Sequence, residues 1–121
     1  MTPQRPILIY EQDQSVLASL QFALALEGYC VRDGAGAEAD PLGAACLIIE
    51  QRHGEGDGLA LLARLRASGC DTPAVLLATN PTRTIRERAE AAGIPLVEKP
   101  LLTDDLTRAL RRVIRQEEAA C

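Results

Sequence analysis

Short apolar runs alternate with longer stretches of helical period along the whole chain. The runs are "ILIY" at 7–10, "YCVRD" at 29–33, "CLIIE" at 46–50, "PAVLLAT" at 73–79 and "IPLVEK" at 94–99. Strands that are apolar throughout belong to parallel sheets that helices cover on both faces. The pattern therefore predicts an α/β fold, a doubly wound sheet of five parallel strands.

The segments between these runs predict helices of unequal length. Helical period extends over 13–28, 59–69, 81–93 and 103–118, and Gly28, Gly69 and Gly93 are placed to end the first three. Asp13 or Ser15 can cap the first helix. The segment 34–44, "GAGAEADPLGA", leaves room for little more than one helical turn. We therefore expect a shortened second helix.

Polar side chains stand at the carboxyl ends of four of the predicted strands. They are Glu11 and Gln12 after the first strand, Glu50 at the end of the third, Thr79 at the end of the fourth and Lys99 at the end of the fifth. Open parallel sheets bind ligands beyond these strand ends. The five residues are therefore the predicted functional site.

This set of residues, in this order, resembles the receiver domain of two-component response regulators over the whole chain. The family has two acids after the first strand, a phosphoacceptor Asp ending the third, Thr or Ser ending the fourth, and Lys-Pro after the fifth. Lys99-Pro100 and the Asp57-Gly58 loop match that pattern. The resemblance implies the flavodoxin-like strand order 2-1-3-4-5 and a single atypical receiver domain over 1–121, with no output domain.

Two substitutions depart from the chemistry that the resemblance implies. Glu50 is one methylene longer than the Asp that attacks a phosphohistidine, and Gln12 replaces a carboxylate that would hold Mg²⁺ with a neutral amide. We expect neither Mg²⁺ binding, nor efficient phosphotransfer, nor enzymatic activity, because such chemistry depends on accurate positioning. Glu50 is expected to pair with Lys99. That pair either holds the switch region in one state or is only a remnant of a degenerate site.

Composition excludes several other classes of protein. Hydrophobic residues at 47% and charged residues at 25% are ordinary for a globular domain. The net charge of −4 argues against a dedicated nucleic-acid binder, which needs a basic face. No apolar run approaches a membrane span, and the N-terminus lacks the apolar region of a signal peptide. We expect a cytoplasmic protein with reduced cysteines.

Four cysteines are predicted at the edge of the sheet opposite the strand-end site. Cys30, Cys46 and Cys70 precede or begin strands, and Cys121 follows the final helix, which runs toward the same edge. In the family's strand order Cys30 and Cys46 are separated by one strand, about 9–10 Å between Cα atoms, too far for a disulfide. The four thiols suit a metal site, and the span favours a 4Fe–4S cluster over 2Fe–2S or zinc. The alternative is that they are small buried hydrophobes.

A second apolar line on the first helix, Ala18, Phe22 and Leu26, predicts a face for a partner helix. Receivers dock on histidine kinases through this helix. The chain is similar to FixT-type single-domain receivers. The sequence therefore predicts a receiver that binds a sensor histidine kinase and inhibits or modulates two-component signalling, gated by the cysteine-ligated cluster. Two alternatives stay open: a residual phosphoacceptor or phosphate sink using Glu50 or Asp57, and a homodimerising adaptor.

Overall fold

The computed structural model describes residues 5–53, 56–99, 105–115 and 119. Strands and helices alternate along these residues, as the apolar pattern predicted. The elements are β1 Ile7–Tyr10, α1 Gln14–Leu26, β2 Val31–Asp33, a 3-10 turn at Pro41–Gly43, β3 Cys46–Glu50, β4 Arg52–His53, β5 Gly56–Asp57, α2 Gly58–Ala67, β6 Ala74–Thr79, α3 Arg83–Ala91, β7 Leu96–Lys99 and α4 Asp105–Val113.

Five of the strands form one parallel sheet in the order β2-β1-β3-β6-β7. In terms of the five predicted strands this is the order 2-1-3-4-5, so the predicted fold class is confirmed. β1 pairs with β2 on one side and with β3 on the other, where Ile7 lies opposite Val31 and Cys46, respectively. Because all five strands run in the same direction, their carboxyl ends share one edge of the sheet.

Side chains alternate between two apolar layers on the two faces of the sheet. Ile7 and Ile9 of β1 pack with residues of α1 and α4 on one face, whereas Leu8 and Tyr10 pack with residues of α2 and α3 on the other. β1 and β3 are buried at every position. This two-sided burial is the physical reason for the uninterrupted apolar runs in the sequence.

The helix boundaries follow the caps that the sequence supplies. Asp13 caps α1 by accepting hydrogen bonds from the backbone N–H groups of Ser15 and Val16. Gly28, Gly69 and Gly93 follow α1, α2 and α3 with positive φ values, the left-handed conformation that glycine adopts at helix ends. α4 ends at Val113. It is therefore shorter than the predicted helix over 103–118, of which residues 103, 104 and 116–118 lie outside the described range.

The segment between β2 and β3 contains only the 3-10 turn, which confirms the shortened second helix. Asp40 caps this turn through the N–H of Leu42. The ring of Tyr10 packs against Gly34, where an added Cβ would lie 2.7 Å from the ring atom Cζ. An aromatic ring thus covers part of the sheet face that a longer helix would cover.

Two further details differ from the sequence-based expectation. The loop after β3 contains a short antiparallel pairing, in which Arg52 of β4 lies opposite Asp57 of β5. β2 begins at Val31, so Cys30 directly precedes that strand instead of lying within it. Within the described residues, no helix is long and apolar enough to cross a membrane.

The contact between the start of α2 and the end of β3 yields a test of the fold. A Cβ at Gly58 would clash with the backbone carbonyl of Glu50 and lie 2.9 Å from Ile49 Cγ2. We expect Gly58→Ala to lower the free energy of unfolding by about 3 kcal/mol, because backbone cannot move aside cheaply. Chemical denaturation measures this change.

Gly93→Ala is the matched control for this substitution. Gly93 has a φ of +71° and nothing within 4 Å of an added Cβ, so only local backbone strain of about 1 kcal/mol is expected. Equal losses for the two variants would contradict the close packing of α2 on β3.

Candidate functional site

The carboxyl ends of the parallel strands bring three of the five predicted site residues into contact. Glu11 follows β1, Glu50 ends β3 and Lys99 ends β7. Lys99 Nζ forms ion pairs with Oε2 of Glu50 and, at 3.2 Å, with Oε2 of Glu11. One ammonium group is therefore shared by two carboxylates.

This ion triad, Glu11, Glu50 and Lys99, is largely shielded from water. The side chains of Glu11 and Glu50 are 6% and 7% exposed, and that of Lys99 is 18% exposed. Glu11 is also fixed by the backbone, because its Oε1 accepts a hydrogen bond of 3.2 Å from the N–H of Asp13. The triad has a formal charge of −1, and the carboxylates depend on Lys99 for neutralisation.

Burial and charge act on the two ends of the triad in different ways. Burial raises the pKa of Glu50, and the neighbouring Glu11 carboxylate adds to the rise, so that together they outweigh the opposing effect of Lys99. Burial by itself would lower the pKa of Lys99, but its hydrogen bonds and charge interactions with Glu50 and Glu11 raise it. Lys99 is thus firmly protonated, and the pKa of Glu50 lies above its ordinary value.

The other two predicted site residues lie at the rim of this site. Gln12 and Thr79 are both exposed, and neither side chain hydrogen-bonds to another residue of the described part of the chain. Asn80 follows Thr79 with a φ of 46°, a left-handed backbone that Asn tolerates better than most residues. A pocket of about 560 Å³ opens beside Glu50, Thr79 and Thr82.

The donor set does not fit a magnesium ion. Mg²⁺ needs oxygen ligands in near-octahedral array, usually with one or two carboxylates free to bind it. Here both buried carboxylates face the Lys99 ammonium, and Gln12 contributes no charge. Over residues 5–53, 56–99, 105–115 and 119, no group of three or more Asp, Glu, His or Cys is placed to hold a metal ion.

A second polar network, not predicted from the sequence, fixes the loop after β3. Asp57 caps α2 by accepting from the N–H groups of Leu59 and Ala60, and its Oδ1 also accepts from Gln51 Nε2 at 2.8 Å. Arg88 of α3 pairs with Asp57 Oδ2 at 2.9 Å. Burial by itself would raise the pKa of Asp57, but the hydrogen bonds from Arg88, Gln51 and the Ala60 N–H, together with the Arg88 charge, outweigh it and lower the pKa.

The contacts of Asp57 argue against the alternative in which Asp57 accepts a phosphoryl group. Both carboxylate oxygens of Asp57 are engaged, one in capping α2 and one in the ion pair with Arg88. An attack on a phosphoryl group would break these contacts. The Asp-Gly pair before an apolar run is a sequence signal for such a cap, whereas nothing in the sequence marked Gln51 or Arg88.

Comparison with known proteins agrees with this architecture. No protein-family model matches the chain. The transcriptional regulatory protein FixJ of Bradyrhizobium diazoefficiens is 29% identical over 126 positions, which cover 99% of this chain and 62% of FixJ.

Solved structures of receiver domains are also similar to this chain. The signal receiver domain of modulated diguanylate cyclase from Desulfovibrio desulfuricans is 25% identical, with a TM-score of 0.70 and coverage of 93% of this chain and 94% of that one. A response regulator receiver domain protein from Clostridium thermocellum is 16% identical, with a TM-score of 0.80 and coverage of 94% and 97%. The chain has the receiver-domain fold.

These similarities confirm the resemblance inferred from the strand-end residues. They support a role in receiver-domain signalling. The chain spans only 62% of the length of FixJ, so the activity of FixJ as a whole does not transfer to it. Within the receiver fold, the ion triad occupies the strand ends where the phosphoacceptor, the acids and the lysine of the family are expected. Pro100, which completed the Lys-Pro motif, lies outside the described residues.

Three of the four cysteines can be placed, each at the amino-terminal edge of the receiver sheet. Cys46 begins β3 and packs into the apolar layer beneath α1 and α4. Burial raises the pKa of its thiol to about 12. The Cys70 thiol lies 3.4 Å from the hydroxyl of Thr72, which in turn donates to the Pro41 carbonyl. Cys30 donates its backbone N–H to the carbonyl of Ala119 at 2.5 Å. Cys121 lies outside the described residues.

The predicted partner face is exposed on α1. Ala18, Phe22 and Leu26 follow one another at intervals of one helical turn, and Phe22 and Leu26 are 68% and 73% exposed. The opposite side of the helix, Leu17, Leu20 and Leu24, is buried against the sheet. The three exposed residues thus form an apolar line that no described part of the chain covers.

The ion triad predicts an asymmetric response to mutation. Lys99→Met leaves two buried carboxylates without a cation, and we expect a loss of about 3–5 kcal/mol in the free energy of unfolding. Adding Glu11→Gln and Glu50→Gln to Lys99→Met removes both charges and should recover most of that loss. Urea denaturation of the single and triple variants measures both effects. A small loss in Lys99→Met would contradict a buried triad.

The pKa of Glu50 predicts how stability depends on pH. Because this pKa is raised on folding, the stabilising contribution of Glu50 is greatest below its ordinary value of 4.5 and declines as pH rises through the raised value. Lys99, also raised, contributes at all pH values below 10.5. We expect Glu50→Gln to remove part of the decline in stability that accompanies a rise in pH above 4.5. Glu38→Gln makes the same change of charge at an exposed position between β2 and β3, away from the triad, and serves as the control.

The iron–sulfur hypothesis stays a prediction, with a test of its own. Binding a cluster requires thiolates, and in the structure the Cys46 thiol is held protonated by burial. If the four cysteines ligate a cluster, anaerobically purified protein will be brown and contain iron and sulfide, and Cys30→Ser will bleach it. Colourless, metal-free protein prepared without oxygen would dismiss the cluster.

Proposed function

We propose that the chain is a receiver that binds a sensor histidine kinase and inhibits or modulates its signalling without accepting a phosphoryl group. The observation that carries this proposal is the ion triad. Lys99, which in a working receiver contacts the phosphoryl group, here forms ion pairs with both Glu11 and Glu50. Without phosphorylation, the domain would act by binding, through the exposed face of α1.

The electrostatics of the triad disfavour phosphotransfer. A phosphoryl group would bring further negative charge to a site that already has a formal charge of −1. The transferred group needs cationic neutralisation in the transition state, and the donor set does not suit Mg²⁺. Glu50 must also release Lys99 before its carboxylate can attack. Each of these demands raises the activation barrier of phosphotransfer to Glu50. The phosphate-sink alternative therefore requires that the ion pairs of Lys99 with Glu11 and Glu50 break.

The partner face supports a kinase as the binding partner. Receivers meet kinases at a helical bundle, and an amphipathic helix packs by presenting apolar anchors at intervals of three or four residues. Ala18, Phe22 and Leu26 supply such anchors, and Phe22 and Leu26 are more than two-thirds exposed. Binding through this face leaves the ion triad intact.

The first test measures phosphate flow. Purified histidine kinases from the source organism are autophosphorylated with radiolabelled ATP, with and without the protein and Mg²⁺. We expect one kinase to accumulate less label in the presence of the protein, while no label appears on the protein itself. Rapid loss of label from a phosphorylated kinase, with label or free phosphate produced by this chain, would establish the phosphate-sink alternative instead.

The second test locates the contact with the kinase. Phe22→Asp places a charge in the apolar line and is expected to weaken inhibition about tenfold or more, the effect of losing one interface anchor of at least 1.4 kcal/mol. Leu42→Asp is the matched control, since Leu42 is 65% exposed but lies on the 3-10 turn, away from α1. Equal effects of the two substitutions would reject the α1 face. A concentration-dependent dimer with no effect on any kinase would favour the dimerising adaptor.

A further inference from the structure

An aliphatic groove runs between α2 and α3, on the face of the sheet opposite α1. Its volume is about 500 Å³, within the range of roughly 300–1,000 Å³ that small-molecule ligands occupy. Four residues of α2 line it at helical spacing, namely Leu59, Leu62, Ala63 and Arg66, and the end of α3 adds Arg88, Ala91 and Ala92. None of these residues belongs to the ion triad or to the partner face.

The wall of the groove is built from leucine and alanine. Leu59 and Leu62 are buried in the apolar layer on this face of the sheet, whereas Ala63 and Ala91 are exposed. Because the alanine side chains are single methyl groups, they leave space between the two helices. Leu59 and Arg66 are seven residues apart on α2, about 10 Å along the helix axis, so the groove has room for a short aliphatic chain.

Arg66 provides a cation in the last turn of α2 that has no anionic partner in the described part of the chain. Its Nη1 donates to the backbone carbonyls of Cys70 at 3.0 Å and Thr72 at 2.7 Å, and these two neutral contacts hold the partly buried guanidinium in place. Its Nε and Nη2 form no bond to any described residue, so this side of the guanidinium can donate to a ligand. Two parallel N–H groups match the oxygens of a carboxylate.

Arg88, the second cation of the groove, is already neutralised near the start of α2. It pairs with Asp57 Oδ2 at 2.9 Å, and Asp57 is the N-cap of α2. Within the described residues, the groove thus has an unpaired cation near the end of α2 and an ion pair near its start, with aliphatic side chains between them. Because charged groups shielded from water are normally paired, this distribution of charge favours a ligand with one anionic end and an apolar body.

We propose that this groove binds a free aliphatic carboxylate of medium chain length, a monoanionic fatty acid. The ligand carboxylate accepts hydrogen bonds from Nε and Nη2 of Arg66, and the hydrocarbon chain lies over Leu62 and Leu59. Burial of the chain against the leucines drives binding, and the Arg66 guanidinium selects the anionic headgroup. The ion pair of Arg88 with Asp57 bounds the groove beyond the end of the chain.

Titration of the full chain with octanoate, below its micelle concentration, tests the proposal by ¹⁵N–¹H correlation spectra. Acetate has the same headgroup without the chain, and octylammonium has the same chain with the opposite charge. We expect saturable shifts at Leu62, Arg66 and Ala91 with octanoate, and binding at least about tenfold weaker for acetate and for octylammonium. No saturable shift with octanoate, or octylammonium binding as tightly as octanoate, would overturn the proposal. Shifts at these residues that follow protein concentration instead of octanoate would assign the groove to a second copy of the chain and equally overturn it.

Two pairs of variants separate the contact with the headgroup from the contact with the chain. Arg66→Gln should weaken octanoate binding at least about tenfold, whereas Arg64→Gln removes an exposed arginine of the same helical turn that does not line the groove and should leave affinity unchanged. Ala91→Leu should fill the groove and weaken binding by a similar factor, and Ala23→Leu, at an exposed alanine of α1, is its control. Because Ala91 is exposed, its variant should retain the fold, and its spectrum outside the groove should match that of the native chain. Equal weakening by Arg66→Gln and Arg64→Gln, or undiminished binding by Ala91→Leu, would reject the site.

Discussion

The site at the strand ends of this receiver fold depends on one partly buried lysine shared by two glutamates. Lys99 lies on the last strand of the sheet, Glu50 on the central strand β3, and Glu11 on the loop after β1. The ion pairs therefore connect three strands at the edge where the fold places its functional residues. A buried charge is tolerated only when it is paired, so each member of the triad constrains the positions of the other two.

Backbone contacts and helix caps fix the residues that surround the triad. Gly58 lets the start of α2 approach the carbonyl of Glu50, and Asp57, through Gln51 and Arg88, joins the following loop to α3. Asp13 both caps α1 and donates its N–H to Glu11. Because these contacts use backbone groups and helix caps, the triad is tied to the same elements that form the sheet. In this account the domain retains one conformation and acts through the exposed side of α1.

The fold and three members of the site could be predicted from the sequence, for a definite physical reason. Apolar runs specify buried parallel strands, and parallel strands bring the residues at their carboxyl ends to one edge, so Glu11, Glu50 and Lys99 could be grouped without coordinates. The direction of individual side chains could not be predicted in the same way. Gln12 is adjacent to Glu11 but exposed, because the cap at Asp13 turns the chain there. Arg88 reaches Asp57 across 31 positions, a contact that no pattern in the sequence marked.

If Lys99 and the two carboxylates fill the phosphoryl site, Mg²⁺ with beryllium fluoride, a phosphoryl mimic, will not bind there. ¹⁵N–¹H spectra of the native chain should show no saturable shifts at Thr79, Lys99 or the residues around Glu50 when both are added. The double variant Gln12→Asp with Glu50→Asp restores the acids of the family pattern and supplies the comparison. If the native chain binds the mimic tightly, with shifts that spread from Lys99 into α3, the ion triad does not keep the phosphoryl site closed and the account is wrong.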